Sequence, residues 1–484
     1  MTRYEAPLTA GSPPETRGVR HADVVVLGLG PGGEDAATRL AKAGLTVIAV
    51  EDRLVGGECP YWGCIPSKMM IRAAGLLTEG RRIPGMAGDS VITPSWAPVA
   101  RRIRDEATDS WDDKVAADRL TAAGVTLLRG HGTITGPGEV TVGGTGGGTG
   151  GTGGTAIRAR RGILVNTGTI PAVPPVPGLA GTPYWTNHEA IETEQVPASL
   201  IVLGGGAIGC ELAQMFARFG SEVQVAEAAG QLLPAEEPES GELLAGVFRR
   251  ERIGVHTGSG ADRVGHDGTQ FTVRLGSGAE LTAERLLVAT GRRADLAAFG
   301  AAAAGLDEKA RFVHTDGHQR AAPGVWAIGD ITGQGAFTHM SMYQAGIAVA
   351  DILGQPHHEA ETHAVPRVTF TDPEIGSVGL TEAQARDRGL AVRTGHAPVP
   401  ESARGWIHKA GNDGYIKLVE DTGRGVLAGA TSAGPAGGEV LSMLVLAVHA
   451  TVPVRRLREM IYAYPAFHRA VESALADLSG QDGP

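Results

Sequence analysis

The chain has 484 residues, 42% of them hydrophobic, and a formal net charge of −10 at pH 7. This length predicts about two to four domains with substantial cores, and the acidic balance without a basic run argues against nucleic acid as a partner. No apolar run approaches the roughly 18 residues of a membrane span, and residues 1–20 lack the apolar core of a signal peptide. We therefore expect a cytoplasmic protein without a membrane partner. Residues 1–19, with Pro, Gly, Glu and Thr, are predicted to form a mobile tail.

The next segment has the order of a dinucleotide site. An apolar strand at 22–27 leads into a glycine-rich turn, a helix with small apolar residues at helical spacing, and a second strand at 45–50. Such glycines allow a tight turn and close approach to a pyrophosphate, the helix N-terminus holds the negative charge, and the acid after the second strand binds a ribose hydroxyl. The candidate cofactor residues are Gly28, Gly30, Gly32, Gly33 and Glu51.

Two of the three cysteines lie in residues 56–68, which have the sequence GGECPYWGCIPSK. An apolar run at 69–77 predicts a helix with Pro66 in its opening turn, so Cys64 lies at a helix N-terminus, where an anion is favoured and a thiol pKa is lowered. A thiolate beside Cys59 is suited to thiol–disulfide exchange. A structural disulfide is rare in the cytosol, and a zinc site needs about four ligands. The stretch therefore favours redox chemistry, and we predict no metal site.

A second unit of the same kind follows, with its first glycine 176 residues after Gly28. Residues 200–203 lead into a glycine turn, a helix that contains Glu211, and a strand at 222–226 that ends before an acid. The candidate residues are Gly204, Gly206, Gly209 and Glu227. Two sites imply two dinucleotides: a flavin beside the cysteines and a nicotinamide here. Glu227 favours NAD over NADP, because its charge would repel the extra phosphate and no arginine lies in the next five positions.

The remaining segments complete these two units and add a third. Residues 95–120 are predicted to be helical, and the Gly/Thr tract at 143–155 to be a flexible hairpin tip. Strands at 163–165 and 286–288 lead into Asn-Thr-Gly and Ala-Thr-Gly turns where the chain is predicted to leave and re-enter the first domain, which adds Thr167, Gly168 and Gly291 to the cofactor candidates. A strand at 325–328 ends in Gly329 and Asp330, and a helix is predicted at 338–353. Strands at 367–370, 415–419 and 426–430 and helices at 439–450 and 466–478 predict a separate α+β domain.

Taken together, the Cys-x4-Cys-Ile-Pro-Ser-Lys motif, the two nucleotide units and the Gly-Asp segment resemble the flavoprotein disulfide reductases, which include dihydrolipoamide dehydrogenase, glutathione reductase and mercuric reductase. The similarity runs from about residue 22 to residue 478. It implies an α/β fold with two Rossmann-like dinucleotide-binding domains, for FAD and NAD, and a C-terminal α+β dimerisation domain. The implied boundaries are 20–170 and 295–360 for the FAD part, 171–294 for the NAD(P) part and 361–484 for dimerisation. The resemblance also implies a homodimer whose active site is shared between subunits.

The resemblance assigns roles to residues around the flavin. Cys64 would be the flavin-facing thiolate and Cys59 the interchange thiol that meets the substrate. Lys68, paired with Glu211, would lie by the reactive edge of the flavin, while Gly57 and Asp330 would join its binding site. Electrons would pass from NADH through FAD and the cysteine pair to an acceptor. Without the resemblance, Lys68 could equally be a solvated helix residue and Glu211 a helix cap.

The C-terminal segment departs from this family. Its disulfide-handling members carry a His-Pro-Thr segment with a glutamate five residues after the histidine, but here Tyr464 and Arg469 occupy those two places. A tyrosine, with an ordinary pKa of about 10, is a poor general base. His468 and Glu472, one helical turn apart, could form a displaced acid–base pair.

Alternatively, the acceptor is a metal ion or a quinone. Mercuric reductases also carry a tyrosine near this place, although the chain ends without a cysteine pair to deliver metal. Tyr61 and Trp62 replace smaller residues beside Cys59 and would reshape the acceptor pocket, and Glu58 replaces a threonine. The leading hypothesis is a reductase of a small disulfide or dithiol substrate. A metal-ion or quinone reductase is the alternative, and a flavin-binding protein without turnover is disfavoured by the intact thiol pair and Lys68.

Overall fold

The computed structural model describes residues 19–143 and 154–480. Residues 1–18 of the predicted tail and most of the predicted Gly/Thr hairpin tip lie outside the described residues. In the described ranges, no helix is both long and apolar enough to cross a membrane.

The secondary structure follows the chain in four parts. The first part comprises β1 (Arg20–Leu27), α1 (Pro31–Lys42), β2 (Val47–Glu51), α2 (Glu58–Tyr61), α3 (Cys64–Arg81), α4 (Ala97–Arg102), α5 (Lys114–Ala122), β3 (Thr126–Arg129), β4 (Gly132–Gly136), β5 (Glu139–Val142), β6 (Thr155–Val165) and β7 (Ile170–Pro171). The second comprises α6 (Asn187–Glu192), β8 (Ser199–Leu203), α7 (Ala207–Arg218), β9 (Glu222–Ala226), α8 (Pro238–Arg250), β10 (Gly254–His256), β11 (Ala261–His266), β12 (Phe271–Leu275), β13 (Glu280–Ala283), β14 (Arg285–Val288) and β15 (Arg292–Arg293).

The third part comprises β16 (Arg320–Ala322), β17 (Val325–Ala327) and α9 (Thr338–Leu353). The fourth comprises β18 (Arg367–Thr369), β19 (Glu374–Gly379), α10 (Glu382–Asp387), β20 (Val392–Pro398), α11 (Ala403–His408), β21 (Tyr415–Asp421), β22 (Val426–Gly434), α12 (Gly437–His449), α13 (Val454–Arg458) and α14 (Ala470–Gly480). The predicted helices at 439–450 and 466–478 correspond to α12 and α14.

The first sheet has the strand order β16-β17-β6-β1-β2-β3, and β1 runs parallel to both β2 and β6. Successive β1 side chains point to opposite faces: Val24 and Val26 pack beneath α1 and α9, whereas Val25 and Leu27 pack towards Ile134 and the β4–β5 hairpin. Both faces are covered, as expected for a parallel strand that is apolar along its length. The strands β16 and β17 come from the third part of the chain, so this sheet is built from two separate stretches of sequence.

The second sheet, β10-β9-β8-β14, is parallel, with the antiparallel sheet β11-β12-β13 packed on one of its faces. The short strands β7 and β15 pair antiparallel, with Arg293 opposite Ile170, at the place where the chain leaves and re-enters the first sheet. This confirms the predicted crossings. The C-terminal part is a five-stranded antiparallel sheet, β18-β19-β22-β21-β20, with α12 and α14 packed against it.

The predicted helix at 95–120 is wrong as a single element. α4 passes into a π-helical turn, Ile103–Ala107, and the next residues, Asp109 to Trp111, have positive φ angles of 48° to 58°. Thr108 Oγ1 donates to the carbonyl oxygen of Ile103, and buried Asp113 accepts a hydrogen bond from the Val55 N–H (2.6 Å). Asp113, directly before α5, is thus held by the loop that follows β2, a contact from outside the predicted helix.

Candidate active site

The two glycine turns are built alike. After β2, the Glu51 carboxylate accepts hydrogen bonds from the backbone N–H of Leu29 (2.7 Å) and of Arg53 (2.8 Å). After β9, the Glu227 carboxylate accepts from the N–H of Gly205 (2.6 Å) and of Ala229 (2.7 Å). Each acid is thus fixed between its own strand end and its own glycine turn, which is where a ribose would meet it.

Close packing explains the last glycine of each turn. A Cβ atom at Gly33 would lie 2.2 Å from the carbonyl oxygen of Gly28, and one at Gly209 would lie 2.0 Å from that of Gly204. Gly28 and Gly204 have φ angles of +84° and +107°, which side chains other than glycine rarely adopt. The glycines let α1 and α7 begin directly against the turn, so their N-termini can face a pyrophosphate.

A cavity of about 1140 Å³ runs from the first glycine turn to the cysteine pair. Its lining includes the predicted cofactor and catalytic residues Gly28, Gly30, Glu51, Gly57, Cys59, Cys64, Lys68, Thr167, Gly168, Glu211 and Asp330. Three glycines of the predicted FAD site pack behind the described lining: Gly32, Gly33 and Gly329. The described lining also does not include the candidates at and near the second glycine turn: Gly204, Gly206, Gly209, Glu227 and Gly291. A bare glycine cradle at one end and two thiols at the other fit FAD.

Asn166 holds the glycine turn in place, a role that the sequence pattern did not indicate. Its Oδ1 accepts from the N–H of Gly33 (2.8 Å), and its Nδ2 donates to the carbonyl oxygen of Ile328 (3.0 Å). The signal was its position directly after β6, beside the predicted Thr167 and Gly168. Because Ile328 directly follows β17, Asn166 joins the two stretches of sequence that form the first sheet.

Asp330 lies at the wall of the cavity with two neighbours that the sequence did not reveal. Its Oδ2 accepts from Thr169 Oγ1 (3.0 Å), and Arg292 Nε donates to the same hydroxyl (2.8 Å). Burial raises the pKa of Asp330, and the Thr169 hydrogen bond opposes this shift. The carboxylate is therefore a fixed hydrogen-bond acceptor at the cavity wall.

The two thiols are inequivalent. Cys64 is the first residue of α3 and is exposed to the cavity, with its Sγ 3.5 Å from Thr338 Oγ1 at the start of α9. The hydrogen bond with Cys59 lowers the pKa of Cys64 to about 6, helped by Thr338 and by the charge of Lys68, whereas the same hydrogen bond and burial raise the pKa of Cys59. These shifts favour the thiolate form of Cys64 and the thiol form of Cys59. Thr338 is a contact that the sequence pattern did not predict.

Lys68 lies one helical turn after Cys64, and its Nζ donates to Glu211 Oε2 (2.9 Å). The other oxygen of Glu211 accepts from the N–H of Phe370 (2.8 Å), and Lys68 Nζ lies 4.8 Å from the centre of the Phe370 ring. Both charges therefore have partners, which buried ionised groups require. α3, α7 and the segment after β18 meet at this pair.

The aromatic residues beside Cys59 do not both face the cavity. Tyr61 is buried, and burial raises its pKa to about 12. Only Trp62 lines the cavity; it stacks on His188 at 4.5 Å between ring centres and donates from Nε1 to Glu192 Oε1 (2.6 Å). The expectation that two aromatics reshape the pocket is therefore wrong for Tyr61, which packs in the protein interior.

Glu58, in the place of the usual threonine, is held by its own contacts. Its Oε1 lies 2.8 Å from His188 Nε2, and Oε2 accepts from Asn187 Nδ2 (3.2 Å) and lies 3.6 Å from Arg292 Nη2. Burial opposes ionisation, but these partners outweigh it and lower the pKa of Glu58. The negative charge of this carboxylate beside the cavity is thus compensated by neighbouring side chains.

The α-helical spacing on which the His468–Glu472 prediction rests is not present, and the acid–base pair itself stays a prediction. Phe467–Arg469 form a 3-10 turn, and α14 begins only at Ala470, so the two side chains are not on one α-helical face. Glu472 instead accepts from Arg469 (2.9 Å). The Tyr464 side chain is 72% exposed, and the described lining of the cavity includes neither it nor His468 or Glu472.

Comparison with known proteins identifies the family of the chain. Residues 22–347 match the family model of the pyridine nucleotide-disulphide oxidoreductases, and residues 365–475 match the model of the dimerisation domain of that family. The chain belongs to this family. This oxidoreductase is 35% identical over 465 residues to a dihydrolipoyl dehydrogenase of Chlorobaculum tepidum, covering 94% of this chain and 96% of the relative. A mercuric reductase of Shewanella putrefaciens is 31% identical over 449 residues, covering 91% of this chain and 78% of the relative.

Solved structures give the same result. The HOCl-induced flavoprotein disulfide reductase RclA of Escherichia coli, as its Cu(II) complex, has a TM-score of 0.81 and 26% identity, covering 95% of this oxidoreductase and 99% of RclA. The chain is therefore an FAD-dependent enzyme that uses NAD(P)H, of the class that acts on disulfide or dithiol substrates. When bound, FAD supplies two-electron transfer between the nicotinamide and the thiol pair. The predicted family, fold class and enzyme class are confirmed.

Proposed function

We propose that this oxidoreductase transfers electrons between NADH and a small disulfide or dithiol substrate through Cys59 and Cys64. The observation that carries the proposal is the position of the thiol pair at the cavity, with Cys64 as the first residue of α3 and its Sγ 3.5 Å from Thr338 Oγ1. The hydrogen bond between the two thiols lowers the pKa of Cys64 and raises that of Cys59. A thiolate is the nucleophile of thiol–disulfide exchange, and a protonated neighbour can form the mixed disulfide once it is deprotonated. In this assignment Cys64 faces the flavin and Cys59 meets the substrate.

The proposed FAD site follows the cavity. Glu51 and the first glycine turn bind the ribose and the pyrophosphate of FAD. Asp330 accepts hydrogen bonds from its ribityl chain, and Lys68 lies by the reactive edge of the flavin ring. The backbone of the remaining candidates surrounds the cofactor; these are Gly57, Thr167, Gly168 and Gly329. We assign residues 20–170 and 295–360 to the FAD domain, 171–294 to the NAD domain and 361–484 to the dimerisation domain.

We assign NADH as the preferred nicotinamide. The carboxylate of Glu227 is held towards the second glycine turn by the N–H groups of Gly205 and Ala229. In this position it can accept hydrogen bonds from ribose hydroxyls, and its charge opposes a 2′-phosphate. Residues 228–232 contain no arginine to compensate that charge.

We further propose a homodimer that shares its active sites. In the dimerisation domain, Ile461 is 95% exposed, Trp406 71% and Leu446 63%. Large apolar side chains at this exposure are typical of a surface that a second copy covers. In this arrangement Tyr464 supplies a hydroxyl to the substrate side of Cys59 in the other subunit.

A second candidate function, reduction of a metal ion, is favoured by one observation. Tyr464 occupies the place of the base that disulfide reductases use, and the chain resembles mercuric reductases almost as closely as dihydrolipoyl dehydrogenases. In this alternative Cys59 serves as a metal ligand, not as an interchange thiol. A quinone is a third class of acceptor that needs neither thiol.

Steady-state oxidation of NADH with lipoamide, a small aliphatic disulfide, menadione and Hg(II) tests the proposal. We expect disulfide turnover in the wild type, its loss in Cys59→Ser and Cys64→Ser, and no change in Cys210→Ala, because Cys210 is buried outside the cavity. Turnover of Hg(II) alone, lost in Cys59→Ser, would establish the second candidate. Menadione reduction that survives in Cys59→Ser, without any disulfide turnover, would overturn both.

A further inference from the structure

A cluster of histidine and carboxylate side chains lies outside the active-site cavity, where three parts of the chain meet. His318 comes from the turn before β16, Asp351 from the last turn of α9, and His357 from the segment that leads into the dimerisation domain. One ligand atom of each residue lies within 4.8 Å of the other two. The cluster plays no part in the proposed electron transfer.

The tautomer of His357 is fixed in a way that suits a metal ligand. Its Nδ1 lies 2.9 Å from the carbonyl oxygen of Gln355, which can only accept a hydrogen bond, so Nδ1 carries the proton. Nε2 therefore has a free lone pair, and it points to His318 Nδ1 (2.9 Å) and to Asp351 Oδ1 (3.6 Å). A histidine that ligates a metal almost always donates its other N–H to a carbonyl or carboxylate oxygen in this manner.

The carboxylate of Asp351 is similarly held from behind. Its side chain is 4% exposed, Arg320 donates to both oxygens, and Trp326 Nε1 donates to Oδ2 (2.7 Å). Because a carboxylate oxygen can accept more than one partner, Oδ1 keeps a lone pair towards the two histidines.

His318 completes the arrangement. Its backbone N–H donates to Asp316 Oδ1 (2.9 Å), which orients the turn. Its ring presents Nδ1 to His357, and the Glu359 carboxylate lies 3.8 Å from Nε2 on the opposite side of the ring. If Nδ1 ligates a metal, Nε2–H faces Glu359 at ion-pair distance, beyond that of a hydrogen bond.

We propose that His318, Asp351 and His357 bind a divalent transition-metal ion of the Zn²⁺ class. Two imidazoles and one carboxylate suit Zn²⁺, Cu²⁺ or Ni²⁺, whereas Mg²⁺ and Ca²⁺ prefer oxygen ligands. With metal–nitrogen bonds of about 2.0–2.1 Å, two ligands at a right angle lie about 2.9 Å apart and two at the tetrahedral angle about 3.3 Å apart. The His318–His357 separation of 2.9 Å therefore requires little movement. The ion would tie the segment after α9 to the first sheet.

A competing explanation needs no metal: the two imidazoles form one hydrogen bond, with Nδ1–H of His318 as the donor. The two explanations differ in Zn²⁺ binding. A second histidine cluster, Glu361 with His363 and His449, is exposed nearby, and a reduced thiol pair also binds metal. The experiment therefore uses the oxidised FAD-loaded enzyme, in which Cys59 and Cys64 are joined, with His363→Gln as the parent.

Zn²⁺ binding by isothermal titration calorimetry is compared in the parent and in the parent carrying His318→Gln, His357→Gln or His358→Gln. His358 is the matched control, because it is adjacent to His357 but contacts the Tyr343 ring and lies outside the cluster. We expect one Zn²⁺ per subunit, an affinity about tenfold or more weaker in both His318→Gln and His357→Gln, and no change in His358→Gln. The Tm of the parent should rise with Zn²⁺, since a ligand of the native state stabilises it.

Absence of saturable binding to the parent would overturn the proposal. So would binding that neither ligand substitution weakens, or an equal loss in His358→Gln. The flavin absorbance of each variant shows that it is folded and loaded, so that a loss of Zn²⁺ binding is not mistaken for unfolding.

Discussion

Lys68 Nζ lies 2.9 Å from Glu211 Oε2, across 143 residues of sequence. This ion pair joins α3, which begins at Cys64, to α7, the helix that follows the second glycine turn. The Glu211 side chain is 7% exposed and that of Lys68 37%. The amino group is thereby fixed near the thiolate at the end of the cavity.

Removal of the Glu211 charge should destabilise the enzyme. Glu211→Gln preserves the shape and the acceptor for the Phe370 N–H but leaves Lys68 without its counter-ion. We expect a loss of about 1–2 kcal/mol, less than for a fully buried pair because Lys68 is partly solvated, and a lower Tm. The control is Asp118→Asn, which breaks the exposed pair with Lys114 and should change stability by about 0.5 kcal/mol or less. Equal effects of the two substitutions would contradict the assignment.

The pKa of Cys64 should depend on the hydrogen bond with residue 59. This bond is the largest cause of the low value of about 6, so Cys59→Ala should raise the pKa of Cys64, whereas Cys59→Ser keeps an O–H donor and should leave it lower than in Cys59→Ala. The thiolate is the deprotonated form, so in the wild type its fraction falls as the pH drops through about 6. In Cys59→Ala the same fall should occur at a higher pH. The pH dependence of Cys64 alkylation by iodoacetamide measures this. Identical profiles for the two variants would exclude the hydrogen bond as the cause.

Glu227 should set the preference between the two nicotinamides. Glu227→Ser removes the carboxylate that faces the second glycine turn, so the KM for NADPH should fall and that for NADH should rise, each by about tenfold. The control, Glu222→Ser, lies at the exposed beginning of the same strand and should change neither value. Steady-state kinetics with both cofactors provides the measurement. A wild type that prefers NADPH would contradict the assignment directly.

Gly33 should tolerate no side chain. A Cβ atom there would overlap the Gly28 carbonyl oxygen, so Gly33→Ala must push α1 away from β1; we expect a loss of about 1–3 kcal/mol and weaker FAD retention. Gly75→Ala is the matched control, because Gly75 lies within α3 with open space around it, and the substitution should stabilise by about 0.5–1 kcal/mol. Thermal unfolding and the FAD released on gel filtration report both effects. Retention of FAD and Tm in Gly33→Ala would disprove the close-packing argument.

Much of the fold could be predicted because its signals are local. The strand, the glycine turn and the acid that ends at Glu51 lie within one short stretch, and the same stretch recurs before Glu227. Cys64 could be placed at a helix N-terminus because the apolar run and Pro66 follow it directly. The Lys68–Glu211 contact was inferred only through family resemblance, since neither residue contains a signal for the other.

The rest of the site depends on tertiary contacts. Asn166, Thr338 and Arg292 acquire their roles by meeting residues more than 120 positions away. The α-helical spacing assumed for His468 and Glu472 is absent because α14 begins only after Arg469. Tyr61 was placed beside the acceptor because it is near Cys59 in sequence, but the one-turn helix α2 directs it into the interior.

Anaerobic titration of the FAD-loaded enzyme with NADH, followed by visible absorbance and then by addition of lipoamide, tests the central claim most directly. The account predicts that two electrons per FAD produce a long-wavelength thiolate-to-flavin band, that the band is absent in Cys64→Ser, and that the disulfide re-oxidises the enzyme rapidly. Two results would contradict this prediction. One is a reduction that bleaches the flavin without this band; the other is a band that Hg(II) or menadione abolishes but no disulfide does.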